Sequence, residues 1–103
     1  MSSNIQFTGP FVKEYKHSDL TTSSSANTAT TILPIAPVGT RRVQVLIQNQ
    51  SASNSIEVIF NEAGTAGLIL PPQGNIGVDN YNGAVRVISP NISVPIHLAY
   101  ATA

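Results

Sequence analysis

From residue 32 onward the apolar and polar positions repeat with a period of two. Val43, Val45 and Ile47 alternate with Arg42, Gln44 and Gln48, and only Leu46 breaks the pattern. Ile56, Val58 and Phe60 alternate with Ser55, Glu57 and Ile59, and Val85 and Val87 flank Arg86. The last segment is the cleanest: Ile92, Val94, Ile96, Leu98 and Tyr100 alternate with Ser93, Pro95, His97, Ala99 and Ala101. Alternation carried by β-branched residues marks strands with one buried face. Leu68-Ile69-Leu70 is a short apolar run that suits a strand buried on both faces. Thr31-Ile32-Leu33 runs into Pro34 and Pro37, which suits an edge strand or an extended crossing.

The breaks between these runs are turn chemistry. Asn49 to Asn54 is a polar loop expected to close a hairpin, and Asn61 to Gly67 is another polar loop between strands. Pro71-Pro72-Gln73-Gly74 and Asn80-Tyr81-Asn82-Gly83 follow, the second ending in the hairpin dipeptide Asn-Gly. Ser89-Pro90-Asn91 is the last. No segment is a helix long enough to cross a sheet. Short strands and turns at this spacing predict an all-β, antiparallel β-sandwich or jelly-roll-like domain of about seven strands. Pro95 falls inside the final strand and cannot donate to a ladder, which predicts an edge or a bulge there. Such an edge is either guarded by the bulge or covered, by a neighbouring subunit or by the chain's own N-terminal residues.

Composition changes near Thr31. Residues 1–31 hold both lysines, Lys13 and Lys16, with Glu14, His17 and Asp19, and end in a run from Thr21 to Thr31 of Thr, Ser, Ala and Asn alone. So little apolar surface does not offset an ordering entropy of about 1–2 kcal/mol per residue. Residues 1–31 therefore read as an extended N-terminal arm and residues 32–103 as the sandwich. The arm nevertheless carries Ile5, Phe7, Phe11, Val12, Tyr15 and Leu20, more apolar surface than a solvated tail bears. Phe7, Phe11, Tyr15 and Leu20 are expected to anchor it on a partner.

Charged residues make up 10% of the 103 residues, five basic and five acidic, against roughly 25% in an ordinary domain. Ser, Thr, Asn and Gln number 34, so the expected surface is polar and uncharged. A nucleic-acid binder needs a basic stripe, and a polybasic membrane anchor needs a cluster of cations. Neither is present in the sequence. No apolar run approaches the ~20 residues of a membrane span, and residues 1–11 lack the pattern of a secretory signal. With no Cys, disulfides and thiolate metal sites are excluded.

Candidate chemistry is sparse. His17 stands among Lys13, Glu14, Tyr15, Lys16, Ser18 and Asp19, but a polar arm does not hold a catalytic group in fixed geometry. His97 falls on the polar side of its strand and reads as a surface or interface residue. Neither belongs to a set of three or four zinc ligands. Glu57, Glu62 and Asp79 read as surface acids rather than a glycosidase pair, and Asp79-Asn80 and Asn61-Glu62 as turns rather than calcium ligands. Gly64 to Gly67 lacks the Lys and helix of a phosphate loop. Arg41-Arg42 is the one basic doublet, expected at a solvated strand end, paired with Glu57 across the sheet, or facing an acidic partner. No enzyme activity and no cofactor are implied.

Residues 32–103 number 72, a size at which a single core is marginal without disulfides, a metal or association. Association is the support that remains, and low charge suits an interface core. Arg41, Arg42, Pro95 and His97 are the candidate interface residues. The stretch Val45-Leu46-Ile47-Gln48-Asn49-Gln50-Ser51-Ala52, then Ile56 to Asn61, Gly64 to Gly74 and Tyr81 to Val85, resembles small β-sandwich structural proteins of tailed bacteriophages. The resemblance covers about residues 43–100 and not the arm. It implies a structural subunit of a virion, made in the host cytoplasm and carried on the capsid surface as decoration or cement. It further implies trimeric clustering and a major capsid protein or other virion protein as partner. The alternative is a carbohydrate- or receptor-binding module of a fibre or spike, with Tyr81 stacking on a sugar ring among Asp79, Asn80 and Asn82. The absence of Trp and a total of six aromatics argue against that platform.

Overall fold

The computed structural model describes residues 14–60 and 67–103. They form eight strands: β1 (Glu14–Thr21), β2 (Thr30–Leu33), β3 (Arg42–Asn49), β4 (Ile56–Ile59), β5 (Leu68–Leu70), β6 (Asn75–Asp79), β7 (Val85–Ile88) and β8 (Pro95–Thr102). One sheet has the order β1-β8-β3-β6 and the other β2-β7-β4-β5. The antiparallel pairs β1–β8, β2–β7, β3–β6 and β4–β5 nest one inside the next. The pairs β3–β8 and β4–β7 complete the two sheets. A long antiparallel ribbon rolled up in this way is a jelly roll, the all-β sandwich that the alternation predicts.

The rolled topology corrects two hairpin expectations. Both the loop at residues 50–55 and the Asn80 to Gly83 turn lead from one sheet to the other, because β3 and β6 lie in the first sheet and β4 and β7 in the second. Only the β4–β5 connection joins neighbours in one sheet. Asn82 instead fixes the start of β3, where its side-chain oxygen accepts a hydrogen bond from the Arg42 backbone N–H at 2.8 Å. The Pro71–Gly74 turn is closed by a bond from Gly74 N–H to the Pro71 carbonyl (2.8 Å). It places Gln73 at φ 67, where only Gly is free of strain. The Gln73 side chain donates in turn to the Ser51 carbonyl at 3.1 Å.

The core is the set of inward positions. Val45, Ile47, Val94, Ile96 and Leu98 meet Leu33, Ile56, Val58, Leu70, Val85 and Val87 between the sheets. Burying each such side chain is worth about 1.5–3 kcal/mol. Leu46, the break in the β3 alternation, points outward, while Val45 and Ile47 are fully buried. Asn49 is a buried polar member: its amide donates to the carbonyls of Asn54, Leu70 and Pro71, and its oxygen accepts from Ser51 N–H at 2.9 Å. It ties the end of β3 to the end of β5. Leu68-Ile69-Leu70, expected to be buried on both faces, is instead the short edge strand β5, with Leu68 and Ile69 exposed.

Two further corrections concern the chain ends. The sandwich does not begin at residue 32. Residues 14–21, whose composition reads as part of the arm, pair with β8 in unbroken register from Glu14–Thr102 to Thr21–Pro95, and β2 starts at Thr30. Their composition is polar because they are held by backbone hydrogen bonds at a sheet edge, with Leu20 alone packed against the core. β8 is consequently a central strand: no bulge lies at Pro95, and its side is covered by the chain's own N-terminal residues, one of the expected alternatives. Proline is tolerated there because it is the first residue of the strand, opposite Thr21. Its carbonyl still accepts from Gln50 N–H at 3.0 Å. With β1 and β6 included, the strand number is eight rather than seven. β6 escapes the hydropathy pattern because Asn75-Ile76-Gly77-Val78-Asp79 offers only two apolar residues.

Replacing Ile47 by Ala leaves a cavity between the sheets and is expected to cost about 2–5 kcal/mol. Leu46→Ala, one residue away on the outer face, is expected to cost less than about 1 kcal/mol. Urea unfolding of the two variants measures both, and equal losses would contradict the assigned faces.

Candidate interaction surface

The outer face of the first sheet gathers the side chains of most chemical interest. Directly opposed residues of an antiparallel pair share a face. The register therefore lines up Tyr15, Ala101 and Gln44 in one row, His17, Ala99 and Leu46 in the next, and Asp19, His97 and Gln48 in a third. The small Ala99 and Ala101 are buried at the floor, and the larger side chains of β1 and β3 rise on either side. Tyr15 is 47% exposed. Its ring lies 5.9 Å from that of His17, which lies 5.5 Å from that of His97. His97 Nδ1 is 2.7 Å from the Asp19 carboxylate, a side chain that is largely open to solvent. Period two alone puts His97 on the outward side of its strand. It does not supply Asp19 as the partner, because the two are 78 residues apart and are joined only through the β1–β8 register.

Arg42 is the residue whose role changes most. Expected at a solvated strand end or an interface, it is 3% exposed. The register of β3 shifts between Arg42 and Gln44, an irregularity that turns Arg42 inward at the base of the sandwich. Its guanidinium donates to the carbonyls of Gly83 (2.8 Å) and Pro34 and lies 5.6 Å from the centre of the Tyr100 ring, within cation–π range. Burial lowers its pKa from the ordinary value, with Tyr100 and Tyr81 acting in the opposite direction. The fixed fork of the guanidinium suits two carbonyls from separate loops, so Arg42 staples residues 34 and 83 to β3. Pairing with Glu57 does not occur: Glu57 lies in the other sheet and accepts from Gly67 N–H at 2.8 Å.

The other predicted residues separate clearly. Phe7 and Phe11 lie outside the described residues. Tyr15 faces outward, whereas Leu20 packs inward and is not offered to a partner. Arg41 and Pro95 are exposed, and His97 is half-buried. Tyr81, the proposed sugar platform, is half-buried against the core. Its hydroxyl donates to the Ala84 carbonyl at 2.6 Å and its ring meets Phe60 edge-on at 5.3 Å. A Cβ built on Gly83 would stand 2.5 Å from the Tyr81 hydroxyl, so the Asn-Gly dipeptide serves this packing. The ring closes the turn and is not presented flat to a ligand. Among the described residues no three His, Asp or Glu side chains are grouped to hold a metal, and no helix is long and apolar enough to cross a membrane.

No protein-family model matches the chain, and no curated protein matches it. Among solved structures, the coat protein of Tobacco streak virus is similar over 89% of this chain and 89% of its own, with 8% identity and a TM-score of 0.40. A likeness that slight carries no argument about this chain. The jelly-roll assignment rests on the strand pairing itself.

Arg42→Ala strands the Pro34 and Gly83 carbonyls and is expected to destabilise by at least about 1–3 kcal/mol. Arg41→Ala should stay within about 0.5 kcal/mol of the parent. Thermal and urea unfolding compare the neighbours directly, and an inert Arg42→Ala would refute the staple.

Proposed function

We propose that the protein is a structural subunit of a virion, a capsid decoration or cement protein that docks on the major capsid lattice through its N-terminal residues. One observation carries the reading. Phe7 and Phe11 precede β1 in the sequence, and β1 is laddered over eight residues to β8, a central strand of its sheet. A tether that enters as a strand passes load from the docking aromatics into the whole sandwich. A flexible linker would not.

Three features support it. A polar face with few charges suits contact surfaces, whose cores are depleted in charge. Large aromatic side chains tend to dominate interface energy when they fill pockets on the partner. The sequence patterns of residues 43–100 resemble small β-sandwich proteins of tailed phages. Jelly rolls serve capsid and lectin domains alike, but Tyr81 is engaged with Phe60 and Ala84, which leaves the carbohydrate alternative without its platform. Surface position on the capsid and synthesis in the host cytoplasm belong to the same proposal.

The fold dictates how docking is tested. Removing residues 1–20 would strip β1 from β8 and uncover the sheet, so the docking residues must be altered singly. Phe7→Ala and Phe11→Ala should each weaken co-sedimentation with capsids that lack the protein by about 2 kcal/mol, roughly thirtyfold, with an unchanged circular dichroism spectrum. Binding at parental affinity by the double variant would overturn the docking role.

A further inference from the structure

The chain has two histidines and no cysteine, and the fold brings both histidines together. They stand on different strands, His17 on β1 and His97 on β8. The register sets Asp19 opposite His97 and Ala99 opposite His17. The two imidazoles are therefore diagonal neighbours on the outer face, within reach of each other across the ladder. Their ring centres are 5.5 Å apart and their planes are inclined at 47°.

His97 is already oriented as a metal ligand would be. Its Nδ1 lies 2.7 Å from the Asp19 carboxylate. An ionised carboxylate only accepts, so the neutral imidazole carries its proton on Nδ1 and keeps a free lone pair on Nε2. Metal-ligating histidines are commonly held from behind by a carboxylate in this way. His17 is exposed, so its ring can turn a nitrogen toward the same point. Two imidazoles bound to one tetrahedral zinc, at about 2.1 Å per Zn–N bond, have ring centres about 5.3 Å apart. Ligands at right angles, as in a square-planar ion, would draw the centres to about 4.6 Å. The observed 5.5 Å matches the tetrahedral ion.

The charge around the pair suits a cation. The three rows of that face carry two carboxylates, Asp19 and Asp79, and no lysine or arginine. Lys16 alternates to the opposite face, where it pairs with Glu14 at 3.7 Å.

We propose that His17 and His97 bind a zinc ion between them across the β1–β8 ladder, with water at its other positions and Asp19 holding His97 in the ligating tautomer. Two protein ligands make an open, exchangeable site rather than a closed structural one. The ion ties the edge strand β1 to the central strand β8. The site goes beyond the capsid-docking reading and does not involve Phe7 or Phe11.

The lack of any other imidazole or thiolate makes the test clean. Zinc chloride titrated into the untagged chain, followed by calorimetry, should bind at one ion per chain. His17→Ala and His97→Ala should each weaken binding by more than about tenfold, and Asp19→Asn by about tenfold or more, with the parent's circular dichroism spectrum. The imidazole proton resonances of His17 and His97 should shift together on adding zinc. Zinc should raise the unfolding temperature of the parent and leave that of His17→Ala unchanged. No saturable binding by the parent, or parental affinity in His17→Ala or His97→Ala, overturns the site. Parental affinity in Asp19→Asn overturns the role of the carboxylate. Co-sedimentation of His17→Ala with capsids should equal that of the parent, so loss of zinc and loss of docking are read separately.

Discussion

β8 must be hydrogen-bonded on both sides, and the architecture depends on how that demand is met. Its inward residues Ile96 and Leu98 are buried in the core, and its backbone runs through the middle of the first sheet. A buried N–H or C=O without a partner costs about 1–3 kcal/mol. β3 supplies one ladder and β1 the other. β1 brings little apolar surface of its own, since its side chains from Glu14 to Asp19 are all exposed. It is kept in place by the ladder and by Leu20, and in return it completes the sheet. This exchange converts a polar segment into a structural element and makes β1, not β8, the last strand of the sheet.

The same constraint explains what is legible in the sequence. Hydropathy reports packing, so β3, β4, β7 and β8 show in their alternation. β1 and β6 lie at sheet edges, where backbone pairing rather than side-chain burial supplies the order, and they carry no comparable signal. Turn residues mark where the chain bends but not whether it returns to the same sheet: Asn82-Gly83 serves a crossing, its amide and the small residue being fitted to Arg42 and Tyr81. Arg42 itself defies the pattern because a register irregularity reverses which face it takes. His97 follows from period two alone. Its pairing with Asp19 depends on a strand that composition hides.

The two faces of the first sheet differ in chemistry. The inner faces are filled by aliphatic side chains, and the outer face of the first sheet presents Tyr15, His17, His97 and Asp19 along β1 and its neighbour β8. The proposed docking would use Phe7 and Phe11, which lie N-terminal to β1 in the sequence.

Amide hydrogen exchange followed residue by residue tests the central claim most directly, because it asks whether β1 is part of the fold. The Lys16, Ser18 and Leu20 amides face β8 and should exchange as slowly as those of Ile47 and Leu98 in the interior strands. Exchange of all three at the rate of an unstructured peptide, with β3 still protected, would show that residues 14–21 are an arm after all.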